Sequence, residues 1–211
     1  MHKQGFITLS KPKSVIYHII DIPNITTLIN VLVGLISITS ASSGNVSSAL
    51  ALINAAVFID HLDGYLARLS KNRSQSRKKF GGELDTLADL LNFGAVPALI
   101  CFVMLHGSFL SLVGGGAILL ASVLRLAFFN IYGMDGGSFY GLTTTYAAFL
   151  FTIFVVLLTL VGLPLGYFLP ILMVGLAVAE ISTFRMPKFG YPIWSVLVVT
   201  SAVGLWIHFV I

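Results

Sequence analysis

Four aspartates are conspicuous in a chain that has few acidic side chains. Asp60, Asp63, Asp85 and Asp89 are four of its eight aspartate and glutamate residues. The members of each pair are three or four positions apart, so on a helix they share one face. Both pairs border long apolar segments, where burying a carboxylate is costly unless a cation neutralises it. We therefore expect these four side chains to form a metal site.

The neighbouring residue types favour a phosphate ligand at this site. A set of carboxylate oxygens suits Mg²⁺, Mn²⁺ or Ca²⁺ rather than zinc, and no cysteine and histidine spacing competes for a metal. Gly64 leaves room beside Asp63 for a ligand to come close, and Arg68, one turn later, can bind an anion. Two divalent ions that hold a diphosphate promote in-line displacement at phosphorus, which is the chemistry that the pattern predicts.

The elements that must position these residues are membrane helices. The chain has 211 residues, of which 57% are hydrophobic and 9% charged, with a mean hydropathy of +0.97. We predict an all-α integral membrane protein, a polytopic bundle of about six to seven transmembrane helices that forms a single domain over residues 1–211. A short amphipathic helix at 14–21 should lie on the membrane surface before the first span. The predicted spans are 24–43, 46–69, 82–105, 109–131, 139–161, 165–182 and 190–210.

Basic residues predict the orientation of the bundle. They are concentrated in the N-terminal segment, in the loop between the second and third spans, and before the last span. With seven spans, all three groups fall on one side of the membrane, which the positive-inside rule assigns to the cytoplasm. The aspartates lie on the same side, so we predict that the site faces the cytoplasm and that the protein lies in a bacterial or archaeal cell membrane.

The aspartate segments resemble the signature of the CDP-alcohol phosphotransferases. That signature reads D-x2-D-G-x2-A-R, a spacer, and G-x3-D-x3-D; its fixed residues here are Asp60, Asp63, Gly64, Ala67, Arg68, Gly81, Asp85 and Asp89. The spacer, residues 69–80, is longer than is usual in the family. Residues 92–98, 124–130 and 141–145 resemble the phosphatidylserine synthase branch, so the likeness covers a catalytic core of about residues 22–148.

The resemblance implies transfer of a phosphatidyl group from CDP-diacylglycerol to the hydroxyl of serine, with release of CMP. It implies that two divalent ions, Mg²⁺ or Mn²⁺, are bound by Asp60, Asp63, Asp85 and Asp89, and that Asp89 is also the general base. The residues expected to bind the CDP-lipid are Asn24, Thr27, Gly64, Ala67, Arg68, Ser74 and Gly81. The partners implied are membrane lipid and a small polar alcohol, without nucleic acid, and a homodimer is expected by analogy.

Arg125 and Asn130 are the residues expected to bind the acceptor. Arg125 lies well inside the fourth span, where it either binds an acidic group of the acceptor or pairs with a structural partner such as Glu180. The acceptor itself stays open between serine and inositol phosphate, glycerol phosphate, ethanolamine or choline, and the donor could be an archaeal ether lipid. An ion-coupled transporter is the alternative from another class, but the sequence has neither the interrupted helices nor the inverted repeat expected of one.

Overall fold

Apolar stretches of the chain form helices that lie side by side. In a bilayer the backbone polar groups must be satisfied within the protein, and a helix satisfies them within one segment. The computed structural model describes residues 14–70, 72–134 and 136–187. Its helices are α1 (Val15–Ile19), α2 (Ile22–Ser42), α3 (Val46–Leu69), α4 (Gln75–Asp89), α5 (Val96–Met104), α6 (Phe109–Tyr132), α7 (Thr144–Val161) and α8 (Leu165–Ile181).

Five helical segments of the described chain are long and apolar enough to cross a membrane. They are Ile22–Ser42, Val46–Leu69, Gln75–Met104, Phe109–Tyr132 and Thr144–Val161. Helix α8 is apolar but shorter, at 17 residues, and the predicted span 190–210 lies outside the described residues. The prediction of an all-α polytopic membrane protein is confirmed.

Helices α2 and α3 form an antiparallel pair joined by a tight turn. Gly44 takes a φ of +83° in this turn, a conformation that glycine adopts at little cost. Asn45 caps α3, since its side chain accepts a hydrogen bond of 3.1 Å from the Ser48 backbone N–H. The Ser37 hydroxyl donates to the Ala49 carbonyl at 2.9 Å. This pairing places the end of α3, with two of the aspartates, beside the start of α2.

The third predicted span begins earlier than its apolar pattern indicates. The helix starts at Gln75 rather than at residue 82, because Ser74 caps it and its polar first two turns extend beyond the apolar stretch. A π-helical segment, Leu90–Ala95, joins α4 to α5. There the Asn92 side chain donates to the Asn30 carbonyl of α2 at 3.0 Å, and a Cβ on Gly34 would overlap the Asn92 amide oxygen. Helix α2 therefore holds the segment that directly follows Asp89.

Close packing of small residues fixes α6 against its neighbours. A Cβ on Gly114 would lie 2.9 Å from Pro170 Cα of α8, and one on Gly115 would lie 3.0 Å from the Ala98 carbonyl oxygen of α5. In bilayers, where lipid tails are as apolar as leucine, such close approach contributes much of the attraction between helices.

A short antiparallel sheet, which the sequence analysis did not predict, joins the end of α6 to the end of α8. Strand β1 (Ser138–Tyr140) pairs with β2 (Arg185–Pro187), with Phe139 opposite Met186. The fifth predicted span therefore begins at Thr144 and not at residue 139. Thr143 caps this helix by accepting from the Tyr146 backbone N–H at 3.3 Å. The sheet brings the connection before α7 over the end of the bundle that carries the aspartates.

Candidate active site

A cavity of about 280 Å³ opens beside the C-terminal parts of α3 and α4. Residues from α3, α4, α6, α7 and the segment before α7 form its wall. The lining residues are Asp60, His61, Asp63, Gly64, Arg68, Asp85, Thr86, Asp89, Arg125, Leu126, Phe129, Phe139, Thr143, Thr145 and Tyr146. All four aspartates of the motif thus share one cavity with Arg68 and Arg125.

Three of the four carboxylates form a tight cluster. One oxygen each from Asp60, Asp85 and Asp89 lie within 4.8 Å of one another. Asp60 is repelled electrostatically by the other three aspartates, and Asp89 Oδ1 is buried without a hydrogen-bond partner among the described residues. Carboxylates held this close in a partly desolvated site need a neutralising charge. The donor set, made of hard oxygens, fits a divalent cation such as Mg²⁺ or Mn²⁺.

Asp63 occupies a different place from the other three aspartates. It is buried, 6% exposed, and its Oδ2 accepts a 2.7 Å hydrogen bond from the hydroxyl of Thr27 on α2. That bond fixes the rotamer of a carboxylate that lines the cavity. Thr27 itself does not line the cavity, so the structure places it behind Asp63.

The opposite wall of the cavity carries a buried arginine. Arg125 of α6 is 8% exposed, and its guanidinium carbon lies 5.6 Å from the ring centre of Phe129 and 5.8 Å from that of Phe139. Cation–π contact of this kind favours a guanidinium that has lost water. Its Nε has no hydrogen-bond partner among the described residues. A buried donor without a partner, on a cavity wall, is suited to an anionic group of a ligand.

Several predicted substrate-binding residues do not line the cavity. Asn24 accepts a 2.8 Å hydrogen bond from Arg73 Nη2, and a Cβ on Gly81 would overlap the Asn24 amide oxygen. Asn130 Oδ1 accepts from the hydroxyl of Thr86 at 3.1 Å. The other two are Ala67, half-buried on α3, and Ser74, the exposed cap of α4.

The structure adds cavity residues that the sequence reasoning did not single out. Thr86 is the residue after Asp85 in the motif, and its place on the wall follows from the helical turn. Phe129 is four positions after Arg125 on α6 and shares its helix face, whereas Phe139 could not be inferred from spacing, because it lies in strand β1 and pairs with β2. Their aromatic side chains were indistinguishable from lipid-facing residues in an apolar sequence.

Comparison with known proteins supports the family resemblance that the motif indicates. The sequence model of the CDP-alcohol phosphatidyltransferase family matches residues 20–183. The chain is 33% identical to the CDP-diacylglycerol–serine O-phosphatidyltransferase of Helicobacter pylori, over 82% of this chain and 74% of that protein. It is 29% identical to the archaetidylserine synthase of Methanothermobacter thermautotrophicus, over 80% of this chain and 70% of that protein.

A third relative matches over a shorter region. The CDP-diacylglycerol–serine O-phosphatidyltransferase of Mycobacterium tuberculosis is 37% identical over 54% of this chain, and the match covers 39% of that protein's length. The family match covers the motif, the cavity and the helices that hold them. The chain therefore belongs to the CDP-alcohol phosphatidyltransferase family.

Proposed function

We propose that this enzyme transfers a phosphatidyl group from CDP-diacylglycerol to the hydroxyl of serine and releases CMP. The observation that carries the proposal is the shared cavity, in which the aspartates of the motif face a buried arginine. Relatives whose names specify serine as the acceptor, at 29% and 33% identity over most of the chain, support the choice of acceptor.

The aspartates are the residues that would hold the metal. CDP-alcohol phosphatidyltransferases generally use divalent metals, and the aspartate cluster fits that chemistry. We propose that Asp60, Asp63, Asp85 and Asp89 hold two ions, Mg²⁺ or Mn²⁺. When bound, such ions neutralise the diphosphate and stabilise the leaving CMP.

Asp89 is the proposed general base. An alcohol is a weak nucleophile at neutral pH, so its proton must be removed as the new bond forms. The proton of the serine hydroxyl passes to Asp89 Oδ1, which is buried without a partner among the described residues. The serine oxygen bonds to the phosphorus that carries diacylglycerol, and the bond from that phosphorus to the bridging oxygen breaks. The bridging oxygen departs with CMP.

Arg125 is the proposed acceptor-binding residue. Its unpartnered Nε and its low exposure suit the carboxylate of an amino acid, which a guanidinium binds through paired hydrogen bonds. Asn130 is proposed to contribute indirectly, through the hydrogen bond that it accepts from the cavity residue Thr86.

The CDP-lipid is proposed to bind along α3 and the start of α4. Gly64 leaves the backbone bare on the cavity wall, and a Cβ there would approach the Arg68 guanidinium to 3.6 Å. Arg68 is exposed at this end and is proposed to bind the diphosphate. The remaining residues proposed to contact or shape the lipid site are Asn24, Thr27, Ala67, Ser74 and Gly81. Because one relative is named an archaetidylserine synthase, an archaeal ether-lipid donor is the second candidate.

The proposed catalytic core is residues 22–148 within one domain of residues 1–211, and the cavity lining from Asp60 to Tyr146 lies within it. We propose that the site faces the cytoplasm, since Arg68, Arg73 and Arg77 lie at the same end of the bundle as the aspartates. A homodimer stays a prediction by analogy with the family.

The test is CMP release by the purified protein in detergent with Mg²⁺ or Mn²⁺. CDP-diacylglycerol and its archaeal ether analogue are each supplied with serine, inositol phosphate, glycerol phosphate, ethanolamine or choline. We expect release with serine, and a loss of about 10²-fold or more in kcat for Asp89→Asn. Release with another alcohol and not with serine would refute the acceptor, and full activity of Asp89→Asn would refute the base.

A further inference from the structure

A buried carboxylate lies behind the acceptor side of the cavity. Glu180 of α8 is 1% exposed, and its Oε2 accepts a 3.0 Å hydrogen bond from the hydroxyl of Ser122 on α6. Its Oε1 has no hydrogen-bond partner in the part of the chain that the structure describes. Burial of a carboxylate with one oxygen unpaired is costly unless a nearby positive charge compensates it. An ionised Glu180 therefore needs a cation nearby.

Arg125 is the cation that balances it. Ser122 and Arg125 are one turn apart on α6, so they share a helix face. The Arg125 guanidinium is attracted electrostatically by Asp89 and by Glu180, but neither carboxylate is within 4.0 Å as an ion pair in the described residues. The guanidinium is thus attracted by one carboxylate that lines the cavity and by one that does not, and it forms a close ion pair with neither.

This arrangement limits the charge that the acceptor pocket tolerates. When Glu180 is ionised, its charge offsets that of Arg125, so an acceptor with no net charge enters without adding uncompensated charge to a desolvated site. A phosphomonoester brings about two negative charges at neutral pH. It would be attracted by Arg125 but repelled by Glu180 and by any aspartate charge left uncompensated. An amino acid, which pairs a carboxylate with an ammonium group, is the better match.

We propose that Glu180, held by Ser122, is a specificity-determining residue whose negative charge offsets that of Arg125, so that the site accepts an amino acid and excludes phosphate-bearing alcohols. Glu180 acts through Arg125 and does not itself line the cavity. The inference rests on the proposed function, because it assumes that Arg125 binds the acceptor. It adds a determinant of acceptor charge on α8, outside the motif.

The test compares serine with glycerol 3-phosphate in the wild-type enzyme and in Glu180→Gln. The variant keeps the size of the side chain and the hydrogen bond from Ser122, but it leaves Arg125 uncompensated. We expect the ratio of the KM for serine to the inhibition constant of glycerol 3-phosphate to rise about tenfold in the variant. A change of that size corresponds to one unit charge acting across a partly desolvated site. The KM for the CDP-lipid should stay within twofold.

Two further variants separate the effect of the Glu180 charge on acceptor preference from an effect on folding. Glu180→Asp keeps the charge and should restore the wild-type preference at least in part. Should Glu180→Gln not fold, Glu180→Met, an apolar side chain of similar volume, serves the same comparison. An unchanged ratio in a folded, charge-deleted variant, or an equal rise in the KM for lipid and for serine, would overturn the inference.

Failure of the proposed function gives a different result. In that case the wild-type enzyme releases no CMP with serine. The effect of Glu180 on charge preference is then read from the thermal stabilisation that serine and glycerol 3-phosphate each give to the wild type and the variant. If glycerol 3-phosphate stabilises the variant no more than it stabilises the wild type, the inference about Glu180 is overturned, whichever acceptor the enzyme uses.

Discussion

Arg73 and Asp21 form a buried ion pair that ties two ends of the site together. Arg73 Nε donates to Asp21 Oδ2 at 2.6 Å, Nη2 lies 2.6 Å from the same oxygen, and the two side chains are 9% and 8% exposed. Nη2 also donates to the Asn24 amide oxygen at 2.8 Å. The loop before α4 is thereby fixed to the start of α2. A loop whose basic residues predict topology also carries a structural contact beside the site.

Removing one member of this pair should destabilise the protein strongly. Arg73→Met leaves the Asp21 carboxylate buried and unpaired, which costs ~3–5 kcal/mol. We expect a lower midpoint of thermal unfolding in detergent, with Asp21→Asn/Arg73→Met recovering part of the loss. Lys79→Met, a change at an exposed position nearby, is the control and should leave the midpoint unchanged. Equal midpoints for Arg73→Met and Lys79→Met would show that the pair contributes nothing to stability.

Gly81 and its neighbour Gly82 should respond differently to the same substitution. A Cβ on Gly81 would overlap the Asn24 amide oxygen and lie 2.9 Å from Arg73 Nη2, whereas one on Gly82 has no atom within 4 Å. Overpacking of this kind costs ~1–3 kcal/mol. We expect Gly81→Ala to lower the unfolding midpoint and kcat/KM for the CDP-lipid, and Gly82→Ala to change neither. Comparable effects of the two substitutions would contradict the close contact.

Divalent metal should stabilise the protein through the aspartate cluster. A cation that binds only the folded state adds ~2.7 kcal/mol of stability at a concentration of one hundred times its dissociation constant. We expect a chelator to lower the unfolding midpoint and Mg²⁺ or Mn²⁺ to restore it. Asp85→Asn should lose most of this response, because Asp85 belongs to the cluster.

The control for the metal response is Glu83→Gln. Glu83 lies on the same helix but is exposed and is not among the clustered carboxylates. It should therefore keep the full shift on addition of metal. Identical shifts in Asp85→Asn and the wild-type protein would rule out the cluster as the metal site, and this readout does not depend on activity.

The packing of α6 against α8 can be tested with a second pair of glycines. A Cβ on Gly114 would lie 2.9 Å from Pro170 Cα, and one on Gly116 would have no neighbour within 4 Å. Gly114→Ala should push the helices apart and destabilise the protein by ~1–3 kcal/mol, whereas Gly116→Ala should be neutral or slightly favourable, since alanine has the higher helix propensity. An unchanged stability of Gly114→Ala would contradict the close approach of α6 to α8.

The helices and the family follow from local properties of the sequence. Long apolar stretches fold as helices in a bilayer because a helix makes all its backbone hydrogen bonds within one segment. The prediction of an all-α membrane bundle is confirmed. The motif from Asp60 to Asp89 carries the family resemblance, which the match over residues 20–183 confirms. Helix ends were less predictable, because α4 extends through polar residues under the cap of Ser74.

The rest of the site depends on contacts between distant parts of the chain. Asp21 and Arg73 are separated by 52 positions, and Ser122 and Glu180 by 58, and nothing in their spacing relates them. Phe139 lies at the cavity in a strand, β1, that pairs with β2 beyond the end of α8, and α8 packs on α6. The sequence by itself predicted which residues could bind metal and which stretches are apolar enough for a membrane, because helical periodicity and transfer free energy are local. Only the tertiary structure decided which charges face one another across helices, because that depends on how the helices pack.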